Sequence, residues 1–268
     1  MVVNKMRNKT IKHILLTLVM SPILVSTSVF GAVKQEKVTI RGDIWCPYNC
    51  EPTSPNPGLM IEVAYKAFGK ENVDYQLLPW KRAIIDTRDG QYDAIVGAAQ
   101  GDAPDFMASY ALANQLFCFV KKSGDAWMYS GHGSLKGKTL GYIGAYAYPD
   151  FINAFIADKG NKTTEKNGDG VLVNLMKMIQ AGRIDVVSDD KAVLANTLES
   201  NADLKKDVVD AGCAADSGDV TKIGISFTPK KQIQSQKNLK KLNDAIRAMI
   251  DSGEMKKIAD KYKVEKWW

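Results

Sequence analysis

Acidic and aromatic side chains stand out among the residues of this sequence that could do chemistry. Asp189 closes the run Val186-Val187-Ser188 and is followed by Asp190, while Asp102 and Asp105 sit in Gly97-Ala98-Ala99-Gln100-Gly101-Asp102-Ala103-Pro104-Asp105. Trp45, Tyr48, Trp80 and Tyr146 supply flat apolar rings that can stack on a planar solute or a cation. Arg82, two residues beyond Trp80, could grip a carboxylate through both guanidinium nitrogens, or could simply lie solvated on a helix face. Gly144-Ala145-Tyr146 precede a helix whose first amides could receive an anion. For Trp45 a place in the core is the stronger reading; for Tyr48 and Trp80 it is contact with a ligand.

Covalent and metal chemistry find little support. Beyond the N-terminal stretch there is one histidine, His132, in the connector Ser130-Gly131-His132-Gly133-Ser134, so a serine or cysteine triad would have to be built on it. Neither paired histidines nor C-x-x-C spacing is present, so no metal or other cofactor is expected. Lys136-Gly137-Lys138-Thr139 superficially matches the end of a phosphate-binding loop, but His132 stands where its first glycine belongs and the segment precedes a strand. Cys46 and Cys50 enclose Pro47-Tyr48-Asn49; a bridge between them would stiffen the turn that carries Tyr48, the alternative being two buried thiols. Cys118 and Cys213 would then form the second pair.

These residues must be positioned by alternating strands and helices. Val38–Ile44 reads as a strand, Leu59–Phe68 as a helix, Val73–Leu78 as a strand, Pro79–Ile85 as a helix and Tyr92–Gly97 as a third strand. Leu116–Val120 is an apolar strand. The alternation then restarts with a strand at Leu140–Ile143, helices at Ala147–Ala157 and Val171–Ala181, a strand at Ile184–Ser188 and a helix at Lys191–Leu198. Ile223–Phe227 is a last strand, and helices near Leu239–Ser252 and Met255–Tyr262 end the chain. Strands joined by helices imply right-handed crossovers and mostly parallel sheets, with ligands beyond the carboxyl ends of the strands. That rule brings together Trp45–Cys50, Pro79–Arg82 and Gly97–Asp102.

Residues 1–32 have the look of a secretory leader: Lys5, Arg7, Lys9 and Lys12 precede a mostly apolar stretch that ends near Gly31-Ala32. The whole sequence of 268 residues carries 36 basic and 30 acidic side chains; without the leader, 32 face 30. That near balance argues against nucleic acid as a partner. The remaining length suits one large domain or two lobes with separate cores, and export would permit disulfides.

Four pieces in this order resemble the bacterial extracellular solute-binding proteins of family 3. They are the first strand with its aromatic and proline turn at Trp45–Pro57, Leu135–Gly141, Gly182–Asp189, and the tail through Leu242, Met249, Gly253, Ile258, Tyr262 and Trp267. The resemblance implies an α/β, two-lobed periplasmic-binding-protein type II fold with two hinge crossings, near Phe119–Ser123 and Thr221–Phe227. Residues 33–122 and 223–268 would form lobe 1, and 123–222 lobe 2. It further implies a periplasmic monomer, not an enzyme, that captures a small polar solute, amino-acid-like or amine-bearing, and delivers it to a membrane ABC permease. A dehydratase- or lyase-type enzyme on the same fold, or a ligand-presenting sensory protein, is the alternative. Ligand contacts are expected from Tyr48, Trp80, Arg82, Ala98, Gln100, Tyr146 and Asp189, the last matching the family's ammonium-binding aspartate. One departure stands out: residues 97–105 hold no arginine where the amino-acid binders carry the one that grips the α-carboxylate. Either Arg82 replaces it, or the ligand lacks a carboxylate.

Overall fold

The computed structural model describes residues 1–2, 37–215 and 221–268; the leader expected at 1–32 lies almost wholly outside them. The first sheet contains β1 (Val38–Gly42), β2 (Val73–Leu77), β3 (Ala94–Ala99), β4 (Met107–Ala108), β5 (Ala113–Asn114) and the returning β11 (Lys222–Phe227). Its order is β2-β1-β3-β11-β4, with β5 also paired to β11. The second sheet has β6 (Phe117–Lys122), β7 (Thr139–Ile143), β8 (Lys162–Lys166), β9 (Val186–Asp190) and β10 (Val208–Cys213), in the order β10-β6-β9-β7-β8.

Each sheet is half as expected. β1, β2 and β3 run parallel, as do β7, β8 and β9, because helices carry the chain back between them. The strands next to the crossings are antiparallel: β11 to β3, and β6 to both β9 and β10. They enter each sheet directly from the other lobe, with no crossover helix to reverse them.

The lobe boundary moves too. β6 was expected to be the last strand of lobe 1, but it pairs only within the second sheet, so the first crossing lies near Gln115–Leu116 instead of Phe119–Ser123. The return runs between Ala214 and Lys222. The two crossings touch, with the Ala214 amide donating to the Phe117 carbonyl and the Gln115 amide to that of Thr221.

The helices are α1 (Leu59–Phe68), α2 (Trp80–Arg88), α3 (Asp150–Ala157), α4 (Val171–Gln180), α5 (Lys191–Ser200), α6 (Ala202–Asp207), α7 (Gln232–Asp251) and α8 (Glu254–Lys261). Helix α1 buries Leu59, Met60, Ile61, Val63, Ala64, Ala67 and Phe68, apolar almost all round, and so lies between the first sheet and α7 with α8. Strand alternation assigns the rest. Ala94 and Val96 face the α1 side while Ile95 faces α2 and Trp80; in β6, Cys118 and Val120 face α4 while Phe117 and Phe119 meet Tyr148 and Ile152. Helix α7 begins seven residues before its expected start because its first two turns carry polar groups, Ser235 among them, whose hydroxyl donates to the Thr228 carbonyl. Strand β8, Lys-Thr-Thr-Glu-Lys, shows no apolar alternation because it is a sheet edge. No helix among the described residues is long and apolar enough to cross a membrane.

Gly58 sets the entry to α1. Its φ is 106°, and a Cβ there would lie 2.4 Å from the Tyr48 carbonyl oxygen. Gly58→Ala is expected to cost about 1–3 kcal/mol through strain and collision with fixed backbone, read as a lower urea midpoint with an unchanged slope.

Candidate functional site

Between the two sheets, the loops that follow the carboxyl ends of their strands face each other. From the first lobe come Asp43 and Trp45 after β1, Trp80 after β2, and Asp102 after β3. From the second come Ala145, Tyr146 and Ala147 after β7, and Asp189 and Asp190 at the end of β9. The loop after β1 is knotted by its own backbone: the Trp45 amide donates to the Asn49 carbonyl, and the Cys50 amide to that of Pro57. The Cys46–Cys50 disulfide closes that turn, and Cys118–Cys213 joins β6 to β10.

Five hydrogen bonds cross the inner end of the cleft. The Trp45 indole N–H donates to Asp189 Oδ1 at 2.9 Å, and the Tyr48 hydroxyl to Asp190 Oδ1 at 3.1 Å. Tyr146 donates its hydroxyl to Asp43 Oδ2 at 2.6 Å, and the Trp80 indole N–H reaches the Ala145 carbonyl at 3.0 Å. The Ala147 amide donates to Asp102 Oδ1 at 2.7 Å. Enclosed by these groups is a cavity of about 20 Å³ lined by Asp43, Trp45, Asn49, Trp80, Asp102 and Tyr146, among others. A wider recess of about 670 Å³ shares Asp43, Trp45 and Tyr146 with it and extends between Leu77–Pro79 and the start of α4. The second volume is of the size that small-molecule sites occupy.

Charge in this region is of one sign. No lysine or arginine lines either space. Burial pushes the Asp43 carboxyl up to about 7, opposed by the Tyr146 hydroxyl and aided by the nearby charges of Asp102 and Asp169. Asp189 is also pushed up to about 7, by burial, against the hydrogen bonds from Trp45 and the Asp190 amide. For Asp102 burial raises the value to about 6, while the Ala99 and Ala147 amides hold it down. Asp43 and Asp102 are half-buried, facing the cavity, whereas Asp189 is 1 % exposed. Among the described residues no three histidine, cysteine or carboxylate side chains stand close enough to hold a metal ion.

The residues expected to contact ligand do not all come together here. Trp80 and Tyr146 line the cavity, and so does Trp45, for which the core was the stronger reading. Asp189 lies behind Trp45, and Asp190 caps α5 through the Ala192 and Val193 amides. Tyr48 is buried against Trp45 and outside the lining. Tyr48 and Asp189 thus stand behind the lining and not in it, and three further expected contacts are corrected too. Arg82 is exposed on the outer side of α2 and lines neither space, because that helix turns Trp80, Ala83 and Ile84 inward. Gln100 is exposed in the turn after β3, its amide donating to the Pro104 carbonyl. Ala98 packs into the apolar cluster around Trp80 and Phe106. Asp105 is spent on a surface ion pair with Arg88. Asp43, Asn49 and Gln115 line the cavity without having been singled out; the position of Asp43 just past a strand's carboxyl end was the available signal.

At the level of sequence, no family model and no curated protein matches the chain. Solved structures do match. An ancestral arginine-binding protein bound to arginine aligns over 84% of this chain and 97% of its own, at 20% identity and a TM-score of 0.68. The amino acid ABC transporter substrate-binding protein AbpA from Streptococcus pneumoniae, bound to L-arginine, aligns over 86% and 97% at 17% identity and a TM-score of 0.68. The fold is that of the periplasmic binding proteins. A histidine kinase sensor domain with similarity to periplasmic binding proteins shares it as well, at 13% identity, 85% and 96% coverage and a TM-score of 0.68. In this periplasmic-binding-protein fold the two lobes are the two sheets described above, and the cleft is the space between them.

The raised carboxyls set a pH dependence. Unfolded, these groups titrate near 4; folded, they hold their protons up to about 6 or 7. Their contribution to stability is therefore full below the unfolded value and lost as pH rises through 6–7. Asp74, Asp105 and Asp125, held low, are ionised throughout that window. The ligand-free protein is expected to melt at a higher temperature at pH 5.5 than at pH 8, with Asp189→Asn flattening the difference; calorimetry at matched ionic strength checks it.

Proposed function

We propose that this chain is an exported solute-binding protein that closes its two lobes on a small amine-bearing solute and hands it to an ABC-type permease. The observation that carries the reading is the cleft itself: the carboxylates of Asp43 and Asp102 and the rings of Trp45, Trp80 and, from the other lobe, Tyr146 line two adjoining spaces that hold no basic side chain. An ammonium group would replace the protons that the buried carboxyls otherwise keep, and the rings of Trp45, Trp80 and Tyr146 offer it π faces. Closure would follow from a ligand that touches both lobes at once and so favours the closed arrangement. The leader-like N-terminus and two disulfides agree with an oxidising compartment outside the cytoplasm.

The likeness to a histidine kinase sensor domain favours one second reading, in which the closed form is presented to a receptor instead of a permease. Both share the same binding step. An enzyme reading gains nothing from the neighbours named above, which are binding and sensor proteins.

A thermal-shift screen of amines, amino acids, small carboxylates and sugars is expected to raise the melting temperature with amine-bearing compounds alone. At a hundredfold excess over the dissociation constant, stabilisation should reach about 2.7 kcal/mol. Asp43→Asn, which neutralises the one carboxylate that lines both spaces, should abolish the shift while leaving the far-ultraviolet spectrum unchanged. Because binding displaces protons, the affinity should rise between pH 5.5 and 8. A screen in which only carboxylates or sugars stabilise the protein would sink the amine reading.

A further inference from the structure

The two spaces of the cleft differ in what they can hold. At about 20 Å³ the inner cavity has room for one group the size of a water molecule, whereas the adjoining recess, at about 670 Å³, would take the body of a solute. Most polar groups around the inner cavity are already engaged. The Tyr146 hydroxyl goes to Asp43, the indole N–H groups of Trp45 and Trp80 to Asp189 and Ala145, and the Ala147 amide to Asp102.

Two buried side chains in its lining are not fully engaged. Asn49 is fully buried; its Nδ2 donates to the Asp43 carbonyl at 2.7 Å, which fixes the amide's orientation and leaves Oδ1 without a partner. Gln115 is 7 % exposed, and its side-chain amide has no hydrogen-bond partner among the described residues. It stands in the first crossing between the lobes, where its backbone amide donates to the Thr221 carbonyl. Buried polar groups are normally bonded, so two unmet amides in one cavity mark a place for a guest. Asp43 and Asp102 add carboxylate oxygens to the same lining. A protonated primary amine matches this set. It is about the size of water, opposite in charge to the carboxylates, and has three N–H donors to share among Asn49 Oδ1, Gln115 Oε1 and Asp43.

The rings of Trp45, Trp80 and Tyr146 alone would suit a quaternary ammonium equally well, since cation–π attraction needs no N–H. Space and hydrogen bonding separate the two. We infer that the inner cavity is a subsite for one unsubstituted ammonium group, with Asn49 and Gln115 as its specificity-determining contacts, so that the solute is a primary amine and not a methylated or quaternary one. The inference rests on the amine reading above and narrows it. A trimethylammonium head would bring three methyl groups to a space that holds one small group. It would also leave Asn49 Oδ1 and the Gln115 amide buried with nothing to bind.

Pairs of compounds that differ only in methylation test it. Isothermal titration of the purified full chain compares ethanolamine with choline, butylamine with butyltrimethylammonium, and cadaverine with its bis-trimethylammonium analogue pentamethonium. The primary member of each pair is expected to bind at least about thirtyfold tighter, the order set by buried polar groups left unmet. Gln115→Ala opens the cavity and removes an acceptor, and should narrow that ratio about tenfold. Because the Gln115 side chain holds no other group, the ligand-free variant should melt where the unaltered protein does. A variant that melts lower or fails to fold would give Gln115 a structural role and overturn its part in the inference, the ratios of the unaltered protein then deciding for the cavity and Asn49. Quaternary compounds bound as tightly as the primary ones would overturn the inference and leave the amine reading standing; failure of every compound to bind would overturn both.

Discussion

Burying a carboxylate without a cation is costly, and much of this cleft follows from how that cost is met. Asp43, Asp102 and Asp189 sit at the ends of three strands in two different sheets, and each is held by a donor supplied across the gap: a phenol, a backbone amide and an indole. Such bonds lower the price of burial without cancelling the charge, so the groups keep their protons to higher pH than free side chains. The aromatic residues therefore do two jobs. Their rings exclude water, and their polar edges reach over to the opposite lobe.

The scaffold supplies those donors by elementary means. Parallel strands end at one edge of each sheet, so the segments that leave them gather on the same side. Prolines, a tight backbone knot and the Cys46–Cys50 bridge keep the loop after β1 from collapsing into helix. Helix α1, apolar nearly all round, anchors the far end of that loop in the core.

How much of this could be read from the residues alone depends on which force shaped each piece. Strongly apolar elements such as α1, β3 and β9 declared themselves, since their pattern reports burial directly. Strand β8 and the first turns of α7 did not, because they are held by edge pairing and side-chain hydrogen bonds that leave no apolar period. The strand-end rule brought Trp45–Cys50, Pro79–Arg82 and Gly97–Asp102 together, and Trp45, Trp80 and Asp102 from those stretches do line the cavity. It could not say which way Arg82 or Gln100 points, since neighbouring residues on one turn differ in facing by packing alone. Asp43 escaped notice because one aspartate after a strand looks like any other until its environment is known. The lobe boundary at β6 was misplaced for a related reason: an apolar strand is equally at home in either sheet, and only its hydrogen-bonding partners decide.

Among the described residues the two crossings are hydrogen-bonded to each other at both ends, Gln115 to Thr221 and Ala214 to Phe117, and the Cys118–Cys213 bridge ties β6 to β10 at the edge of the second lobe. A paired ribbon bends readily across its width but resists shear between its strands. A hinge held in that way would confine rotation of one lobe against the other to something close to a single degree of freedom, a door on one hinge pin. Opening along such a path would part the five cross-cleft bonds together, so that the cleft would switch between two arrangements in place of loosening by stages.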